Sequence, residues 1–325
     1  MLYLDKMYLE LLLIALGFIL LVKGADYLIK GASNIAQRFG ISYFIIGLTI
    51  IAFGTSLPEF IVNVLSALKG TTDIAVGNIL GSNMANLLLI IGISSIIMPI
   101  EINIYAKKTD IPYALFSSIL LLVLACDMIL WGSVENHISR IDGVILLTGF
   151  IAFIYFVLRR TIDETSEEDY YDMDFGTLRT IVYISAGVVG LYLGGELIVE
   201  NAISLARALS ISDILISSTI VAFGTSLPEL ATSLIAAYNH KCDIAVGNII
   251  GSNIFNILWV LGISSIITTM PIRSTLLIDM GLVILASVVL LALTYIGLEN
   301  IISWKKGIFM LIFYIAYIAM LVIRG

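Results

Sequence analysis

Two glutamates of this chain stand at the ends of identical eight-residue motifs. The motif Ala-Phe-Gly-Thr-Ser-Leu-Pro-Glu ends at Glu59 and returns, letter for letter, 170 positions later with its end at Glu229. A carboxylate inside a strongly apolar stretch is costly to bury and usually serves a function. Apolar filler can recur by composition alone, but a carboxylate, two hydroxyls and a proline in fixed order do not. We therefore interpret the two copies as the working parts of one ion-binding site.

The proline of each copy leaves a backbone oxygen without its helical partner. Pro58 has no N–H group, so the Gly54 carbonyl loses its hydrogen bond, and Pro228 does the same to Gly224. An unpaired carbonyl in hydrocarbon is expensive unless something satisfies it, and a cation can do so. The hydroxyls beside these carbonyls belong to Thr55, Ser56, Thr225 and Ser226.

A second repeated block adds polar side chains to the set. Asn78, Ser82 and Asn86 are four residues apart and therefore share one face of a helix. Their counterparts 170 positions later are Asn248, Ser252 and Asn256. All the candidate ligands are oxygens, which suit hard cations such as Ca²⁺ or Na⁺ and argue against zinc or copper. Two glutamates neutralise one Ca²⁺ or two Na⁺, so one pocket can alternate between them.

The elements that position these residues are predicted to be membrane helices. Hydrophobic residues make up 60% of the 325 residues and charged residues 13%, too few charges to cover a water-soluble domain. Apolar segments of the length that crosses a bilayer as a helix fill most of the chain. We place ten spans at approximately 8–31, 41–68, 72–97, 111–131, 141–159, 178–206, 211–238, 243–267, 276–297 and 304–323. Since most are continuous rather than alternating, a β-barrel is disfavoured and an all-α polytopic membrane protein is predicted.

The repeat divides the ten spans into two halves of opposite orientation. The shift of 170 positions covers five spans, an odd number, so the second half must enter the membrane from the other side. We predict a first five-helix repeat over 1–160, an acidic cytoplasmic linker over 161–177 and a second five-helix repeat over 178–325. Broken helices at the midplane would carry the motifs. Inverted repeats of this kind are common in secondary transporters, with the substrate site at their interface.

Charges in the loops predict the orientation in the membrane. Nine Lys and Arg lie on the side of the central loop and six on the other, which favours a cytoplasmic central loop with both termini outside a plasma membrane. Seven acidic residues lie between Asp163 and Asp174 of that loop. We interpret them as a solvated linker. A regulatory cation site is the alternative, although the glycine turn and terminal glutamate of an EF-hand are missing.

The motif GTSLPE followed by GN(x)₂GSN(x)₂N, present twice, resembles the α-repeats of the calcium/cation antiporter superfamily. It looks most like the sodium/calcium exchanger family and its prokaryotic members, over essentially the whole chain. The resemblance implies that Glu59 and Glu229 are the central Ca²⁺ and Na⁺ ligands. It implies alternating access, in which the first and sixth helices slide across the rest. The further ligands that it implies are Thr55, Ser56, Thr225, Ser226, the carbonyls of Ala52 and Ala222, and Ser82, Asn86, Ser252 and Asn256.

This chain departs from some relatives in ways that bear on its ions. Certain prokaryotic and potassium-dependent exchangers have Asp at the position of Asn256, so the missing carboxylate argues against K⁺ co-transport. The linker is too short for the calcium-sensing domains of animal exchangers. The calcium/proton branch typically has Glu in its second motif, where this chain has GNILGSN and GNIIGSN. That difference favours Na⁺ over H⁺ as the counter-ion.

The leading hypothesis is therefore a secondary active antiporter that exchanges Na⁺ for Ca²⁺. A Ca²⁺/H⁺ exchanger is the alternative, and a passive cation channel is less favoured because two buried glutamates would hold a divalent ion and slow its passage. An enzyme is disfavoured, since neither motif contains a histidine or lysine base. We expect the lipid bilayer and small inorganic cations as partners. We expect no nucleic acid, no obligate protein partner and no cofactor, because Ca²⁺ and Na⁺ would be transported.

Overall fold

The described residues form a bundle of helices with four very short strands. The computed structural model describes residues 2–128, 135–163, 176–208, 222–297 and 300–324. The helices are α1 (Leu2–Phe39), α2 (Tyr43–Thr55), α3 (Leu57–Leu68), α4 (Thr72–Ile97), α5 (Ile111–Leu124), α6 (Arg140–Asp163), α7 (Thr177–Ala208), α8 (Ala222–Gly224), α9 (Leu227–Tyr238), α10 (Cys242–Ile267), α11 (Ser274–Leu293) and α12 (Trp304–Arg324). The strands are β1 (Ile100–Glu101), β2 (His137–Ile138), β3 (Met270–Pro271) and β4 (Ile301–Ile302).

The helices confirm a polytopic helical membrane protein. Eight segments of the described chain are long and apolar enough to cross a membrane, if the bent pair α2 and α3 counts as one. The helix at the predicted fourth span is displaced toward the N-terminus: it begins at residue 104, passes through the π-helical segment Ala106–Asp110 into α5 and ends at Leu124, while residues 129–131 of the prediction lie outside the described residues. Residues 211–221 of the seventh predicted span, and 164–175 with the possible regulatory cation site, lie outside the described residues. The count of ten spans and the domain boundaries stay predictions.

The second span is broken at the position that its proline predicts. The axes of α2 and α3 differ by 45°, with Ser56 between them. Pro58 lies in the first turn of α3, where a missing N–H group removes no helical bond. Glu59 lies in the same turn, where the positive end of the helix dipole favours a carboxylate. The backbone turns in the same way at Ser226, just before α9.

Three helices contain π-helical segments, which widen the helix locally. They are Gly47–Ile51 in α2, Ala85–Ile90 in α4 and Phe255–Leu261 in α10; a further π-helical segment, Ala106–Asp110, leads directly into α5. Asn86 and Asn256 lie within the second and third of these segments. Their predicted spacing of four residues therefore passes from α-helical into π-helical geometry. Such insertions are frequent at functional sites.

Helices α1 and α7 pack antiparallel along a line of glycines. A Cβ atom on Gly24 would lie 2.6 Å from the Leu191 backbone nitrogen, and one on Gly194 would lie 2.7 Å from the Leu21 nitrogen. The two backbones therefore approach as closely as only glycine allows. Because Gly24 and Gly194 are 170 positions apart, this contact follows the inverted repeat.

Two antiparallel strand pairs connect the halves. Strand β1 pairs with β4, and β2 pairs with β3. The first pair joins the loops that precede α5 and α12, and the second joins the loops that precede α6 and α11. In the predicted topology each pair brings together loops on the same side of the membrane. The pairing thus agrees with an odd number of spans in each half.

Candidate cation-binding site

The two glutamates lie in the centre of the bundle, where the breaks before α3 and α9 face α4 and α10. Glu59 and Glu229 are both 0% exposed. Neither forms a salt bridge within the described part of the chain. A buried carboxylate without a cationic partner is strongly unfavourable, so its charge needs another source of compensation.

Serine hydroxyls contact both carboxylates. Ser56 Oγ donates to Glu229 Oε1 at 3.1 Å, a bond between the first half and the second. Ser252 Oγ lies 3.5 Å from the same oxygen. Ser82 Oγ donates to Glu59 Oε1 at 3.3 Å. These bonds bring the two motif copies and the two repeated Gly-Ser-Asn blocks into one cluster.

The threonines of the two motifs make equivalent bonds across the halves. Thr55 Oγ1 donates to Asn248 Oδ1 at 3.0 Å, and Thr225 Oγ1 donates to Asn78 Oδ1 at 3.0 Å. Each threonine oxygen also lies close to a serine of the opposite half: the distances are 3.4 Å for Thr55 to Ser252 and 3.3 Å for Thr225 to Ser82. The two breaks are therefore related by an approximate two-fold axis.

Asn86 and Asn256 join the cluster through two asparagines that the sequence interpretation did not select. Asn86 Nδ2 donates to Asn253 Oδ1 at 3.2 Å, and Asn256 Nδ2 donates to Asn83 Oδ1 at 3.1 Å. All four side chains are buried. A signal was present, because Asn83 and Asn253 end the repeated Gly-Ser-Asn block.

Two further polar residues were missed on α3 and α9. Asn63 Nδ2 donates to the Glu59 carbonyl at 2.9 Å, and Ser233 Oγ accepts a bond from Asn248 Nδ2 at 3.0 Å. Both residues are 0% exposed. They are 170 positions apart, so polar character at equivalent positions of two apolar helices would have indicated them.

Five buried oxygen atoms of the cluster have no hydrogen-bond partner among the described residues. They are Oε2 of Glu59 and of Glu229, Oδ1 of Asn86 and of Asn256, and Oγ of Ser226; Oδ1 of the neighbouring Asn63 and the Nδ2 groups of Asn78 and Asn253 are also buried without a partner there. Folded proteins pair nearly all of their buried polar atoms. Four of the five are carboxylate or amide oxygens, which only accept bonds. The arrangement is therefore suited to an electropositive guest.

The backbone differs between the two copies at the alanine that opens each motif. The Ala52 carbonyl accepts a bond from Ser56 N at 3.0 Å, and Thr55 Oγ1 lies 3.3 Å from it. In the second copy Ser226 N donates instead to the Phe223 carbonyl at 3.1 Å. Ala222, the counterpart of Ala52, begins the short helix α8. The two candidate carbonyl ligands thus have different local geometry.

The composition of the cluster limits the cations that it suits. The described residues contain no group of three or more His, Cys, Asp or Glu side chains placed to hold one metal ion. The negative charge of this cluster comes from two glutamates, and its other polar atoms are hydroxyl, amide and carbonyl groups. Hard cations prefer such oxygen ligands.

A cavity reaches this cluster from the side of α7. It has a volume of about 210 Å³ and lies between α7 and the broken helices. It is lined by Thr225 of the cluster, by the motif prolines Pro58 and Pro228, and by Glu196 of α7. Glu196 is exposed, so a carboxylate stands beside an opening that leads to the cluster.

Comparison with known proteins places this architecture among ion exchangers. A protein-family model described as "Sodium/calcium exchanger protein" matches residues 9–159 and 179–323. The sodium/calcium exchanger MaX1 of Methanosarcina acetivorans is 32% identical over 345 residues, covering 95% of this chain and 97% of that protein. The inner membrane protein YrbG of Escherichia coli is 35% identical over 273 residues, covering 81% of each chain. A solved structure of the sodium-calcium exchanger NCX_Mj has a TM-score of 0.82 and 34% identity, covering 97% of this chain and 99% of that one.

Proposed function

Because the chain belongs to the sodium/calcium exchanger protein family, we propose that it is a secondary active antiporter that exchanges Na⁺ for Ca²⁺ by alternating access. The observation that carries this proposal is the set of five unpaired buried oxygens around two fully buried glutamates. A protein that only packed its helices would not leave so many acceptors unpaired in one place. An exchanger needs such a cluster, because a cation completes it in each bound state.

Glu59 and Glu229 are the ligands that serve both ions. Their two charges match one Ca²⁺ or two Na⁺, and Ca²⁺ accepts 6–8 oxygen ligands in flexible geometry. The remaining ligands are hydroxyls, amide oxygens and carbonyls around the breaks and on α4 and α10. They are Thr55, Ser56, Thr225, Ser226, Ala52, Ala222, Ser82, Ser252, Asn86 and Asn256. The C-terminal, negative end of the half-helix α2 points its carbonyls toward the cations.

Helices α1 and α7 move as a pair against the rest of the bundle. The glycine contacts bring their backbones together, and Leu21 and Leu28 of α1 pack in one cluster with Leu191 and Ile198 of α7, so the two helices are held as one unit. The strand pairs and the hydrogen bonds of the cluster tie the other helices of the two halves together. A movement of α1 and α7 past the cluster therefore opens it to one side of the membrane and then to the other.

The central loop faces the cytoplasm, and both termini lie outside a plasma membrane. The excess of Lys and Arg on the central-loop side supports this orientation. The strand pairs support the same topology, because β1 pairs with β4 and β2 pairs with β3, and each pair joins loops that this topology places on one side of the membrane. Cavity access beside Glu196 then lies in the outer half of the protein.

An ion-gradient flux assay tests the proposed exchange. In proteoliposomes loaded with Na⁺, uptake of ⁴⁵Ca²⁺ should begin when external Na⁺ is removed, and it should stop when Na⁺ is equal on both sides. Equimolar K⁺ inside the vesicles is the matched control and should drive no uptake. Uptake that ignores Na⁺ but follows an imposed pH gradient would identify a Ca²⁺/H⁺ exchanger instead. Single-channel currents in a planar bilayer would contradict both kinds of exchange.

A further inference from the structure

Asn83 and Asn253, which are not candidate ligands, accept hydrogen bonds from the candidate ligands Asn256 and Asn86. Asn253 Oδ1 accepts the amide hydrogen of Asn86 at 3.2 Å, and Asn83 Oδ1 accepts that of Asn256 at 3.1 Å. Each bond runs from one half of the molecule to the other, between α4 and α10. Asn83 is itself held, because its Nδ2 donates to the Asn253 carbonyl at 3.3 Å. The four side chains are 0–2% exposed, so water does not compete for these bonds.

The bonds decide which end of each amide faces the cluster. An asparagine side chain carries one oxygen and one NH₂ group, and a half-turn about its last bond exchanges them. With Nδ2 held by a neighbouring oxygen, Oδ1 of Asn86 and of Asn256 is left buried and without a partner. The reverse orientation would place two N–H donors toward the cluster, where they would repel a cation.

We propose that Asn83 and Asn253 are positioning residues, which orient the amides of Asn256 and Asn86 so that the site presents oxygens to the transported cation. This inference rests on the proposed exchange of Na⁺ for Ca²⁺. The orientation matters more in this chain because the repeated motifs bring only two carboxylates to the cluster. A neutral amide attracts a cation only when its oxygen faces the ion, whereas a carboxylate attracts it in either orientation.

The same bonds contribute to the choice between the two ions. The attraction between an ion and a dipole scales with the charge of the ion, so a reversed amide costs a bound Ca²⁺ about twice what it costs a bound Na⁺ at the same distance. Loss of either positioning residue should therefore weaken Ca²⁺ binding more than Na⁺ binding. Residues that orient metal ligands typically change metal affinity about 10- to 100-fold when they are mutated.

A double-mutant cycle separates this role from simple packing. Asn253→Leu removes the acceptor of the Asn86 amide at similar volume, and Asn86→Asp replaces the amide by a group with two equivalent oxygens. We expect Asn253→Leu to weaken Ca²⁺ binding at least about tenfold when residue 86 is Asn. In the Asn86→Asp background the same change should leave Ca²⁺ binding unchanged or strengthen it, since no wrong orientation exists. An equal loss in both backgrounds would show a packing role and overturn the proposal.

The readout is equilibrium binding of ⁴⁵Ca²⁺ to the purified full-length protein, with Na⁺ as the competitor. Asn83→Leu with Asn256→Asp is the equivalent cycle in the other half and decides the matter if the Asn253→Leu protein does not fold. If the wild-type protein binds no Ca²⁺, the proposed exchange fails and this inference falls with it. If the wild-type protein binds Ca²⁺ and neither cycle shows coupling, only the positioning role is overturned.

Discussion

Ser56 and Ser226 occupy equivalent positions of two identical motifs, but their surroundings differ. Ser56 donates to Glu229, whereas Ser226 Oγ is buried without a hydrogen-bond partner in the described structure. The φ and ψ angles of the two serines are nearly equal, but their backbone hydrogen bonds differ: Ser56 N donates to the Ala52 carbonyl and Ser226 N donates to the Phe223 carbonyl. The neighbouring threonines, in contrast, obey the pseudo-two-fold symmetry, because Thr55 and Thr225 make equivalent bonds to asparagines of the opposite half.

The difference shows that an inverted repeat can hold identical residues in unequal local structures. If the first half took up the local structure of the second and the second that of the first, the number and kind of hydrogen bonds would stay the same, because the residues are the same. Two states of similar energy are what an exchanger needs in order to face either side of a membrane. The comparison also predicts which equivalent substitutions should have equal effects and which should not.

The largest expected effect is that of removing either charge. Glu59→Gln and Glu229→Gln should each reduce Na⁺-driven ⁴⁵Ca²⁺ uptake by at least about 100-fold, because half of the negative charge at the site is lost. Glu101→Gln, at an exposed carboxylate of β1, is the control and should retain uptake. Retention of normal uptake by one glutamate variant would mean that the two halves do not share one site.

Equal effects are expected where α1 meets α7. Gly24→Ala and Gly194→Ala each place a methyl group less than 3 Å from a backbone atom of the other helix. Each should lower the free energy of unfolding by about 1–3 kcal/mol, the usual range for overpacking, as measured by thermal or denaturant unfolding in detergent. Gly281→Ala, with no atom near the added methyl group, is the matched control and should not destabilise. Tolerance of one substitution and not the other would contradict a symmetric contact.

Unequal effects are expected at the two serines. Without added Ca²⁺ or Na⁺, Ser56→Ala should destabilise the protein by about 1.5–3 kcal/mol, because it removes a hydrogen bond to a carboxylate. Ser226→Ala should leave the free energy of unfolding unchanged or raise it under the same conditions, since its buried hydroxyl makes no hydrogen bond that could be lost. Thermal unfolding in ion-free detergent solution measures both. Equal destabilisation would remove the asymmetry on which the comparison rests.

The smallest effect is expected at an ion pair on the surface. Asp73 forms a 2.7 Å salt bridge with Arg273, whose side chain is 76% exposed. Asp73→Asn should change the free energy of unfolding by less than about 1 kcal/mol, as exposed pairs usually do. A loss as large as that of Ser56→Ala would show that this contact holds the start of α4 to the loop before α11. The same denaturation experiments supply the measurement.

The motifs predicted the centre of the site because their chemistry is local to the sequence. A proline and a glutamate in an apolar helix determine where the helix breaks and where the charge lies, and the structure places Ser56 and Glu59 accordingly. The exact repeat predicted the relation between the halves. The chain belongs to the sodium/calcium exchanger protein family, and the ligand roles of the site residues are proposals.

Other features depend on contacts that the sequence does not display. The π-helical segments alter which side chains of α4 and α10 lie on the same face, and a spacing of four residues in the sequence does not predict where such segments occur. The bonds of Asn83 and Asn253 run between residues about 170 positions apart, so only the assembled halves reveal them. The different backbone bonds of Ser56 and Ser226 could not be predicted, because the two motifs are identical.

The most direct test of the account is competition between the two ions at the two glutamates. Equilibrium binding of ⁴⁵Ca²⁺ to the purified protein should saturate at one ion per chain, and Na⁺ should displace it completely with a Hill coefficient above one. The Glu59→Gln/Glu229→Gln double variant should bind no Ca²⁺ while it remains folded. Ca²⁺ that stays bound at saturating Na⁺, or that binds the double variant with unchanged affinity, would contradict one shared site.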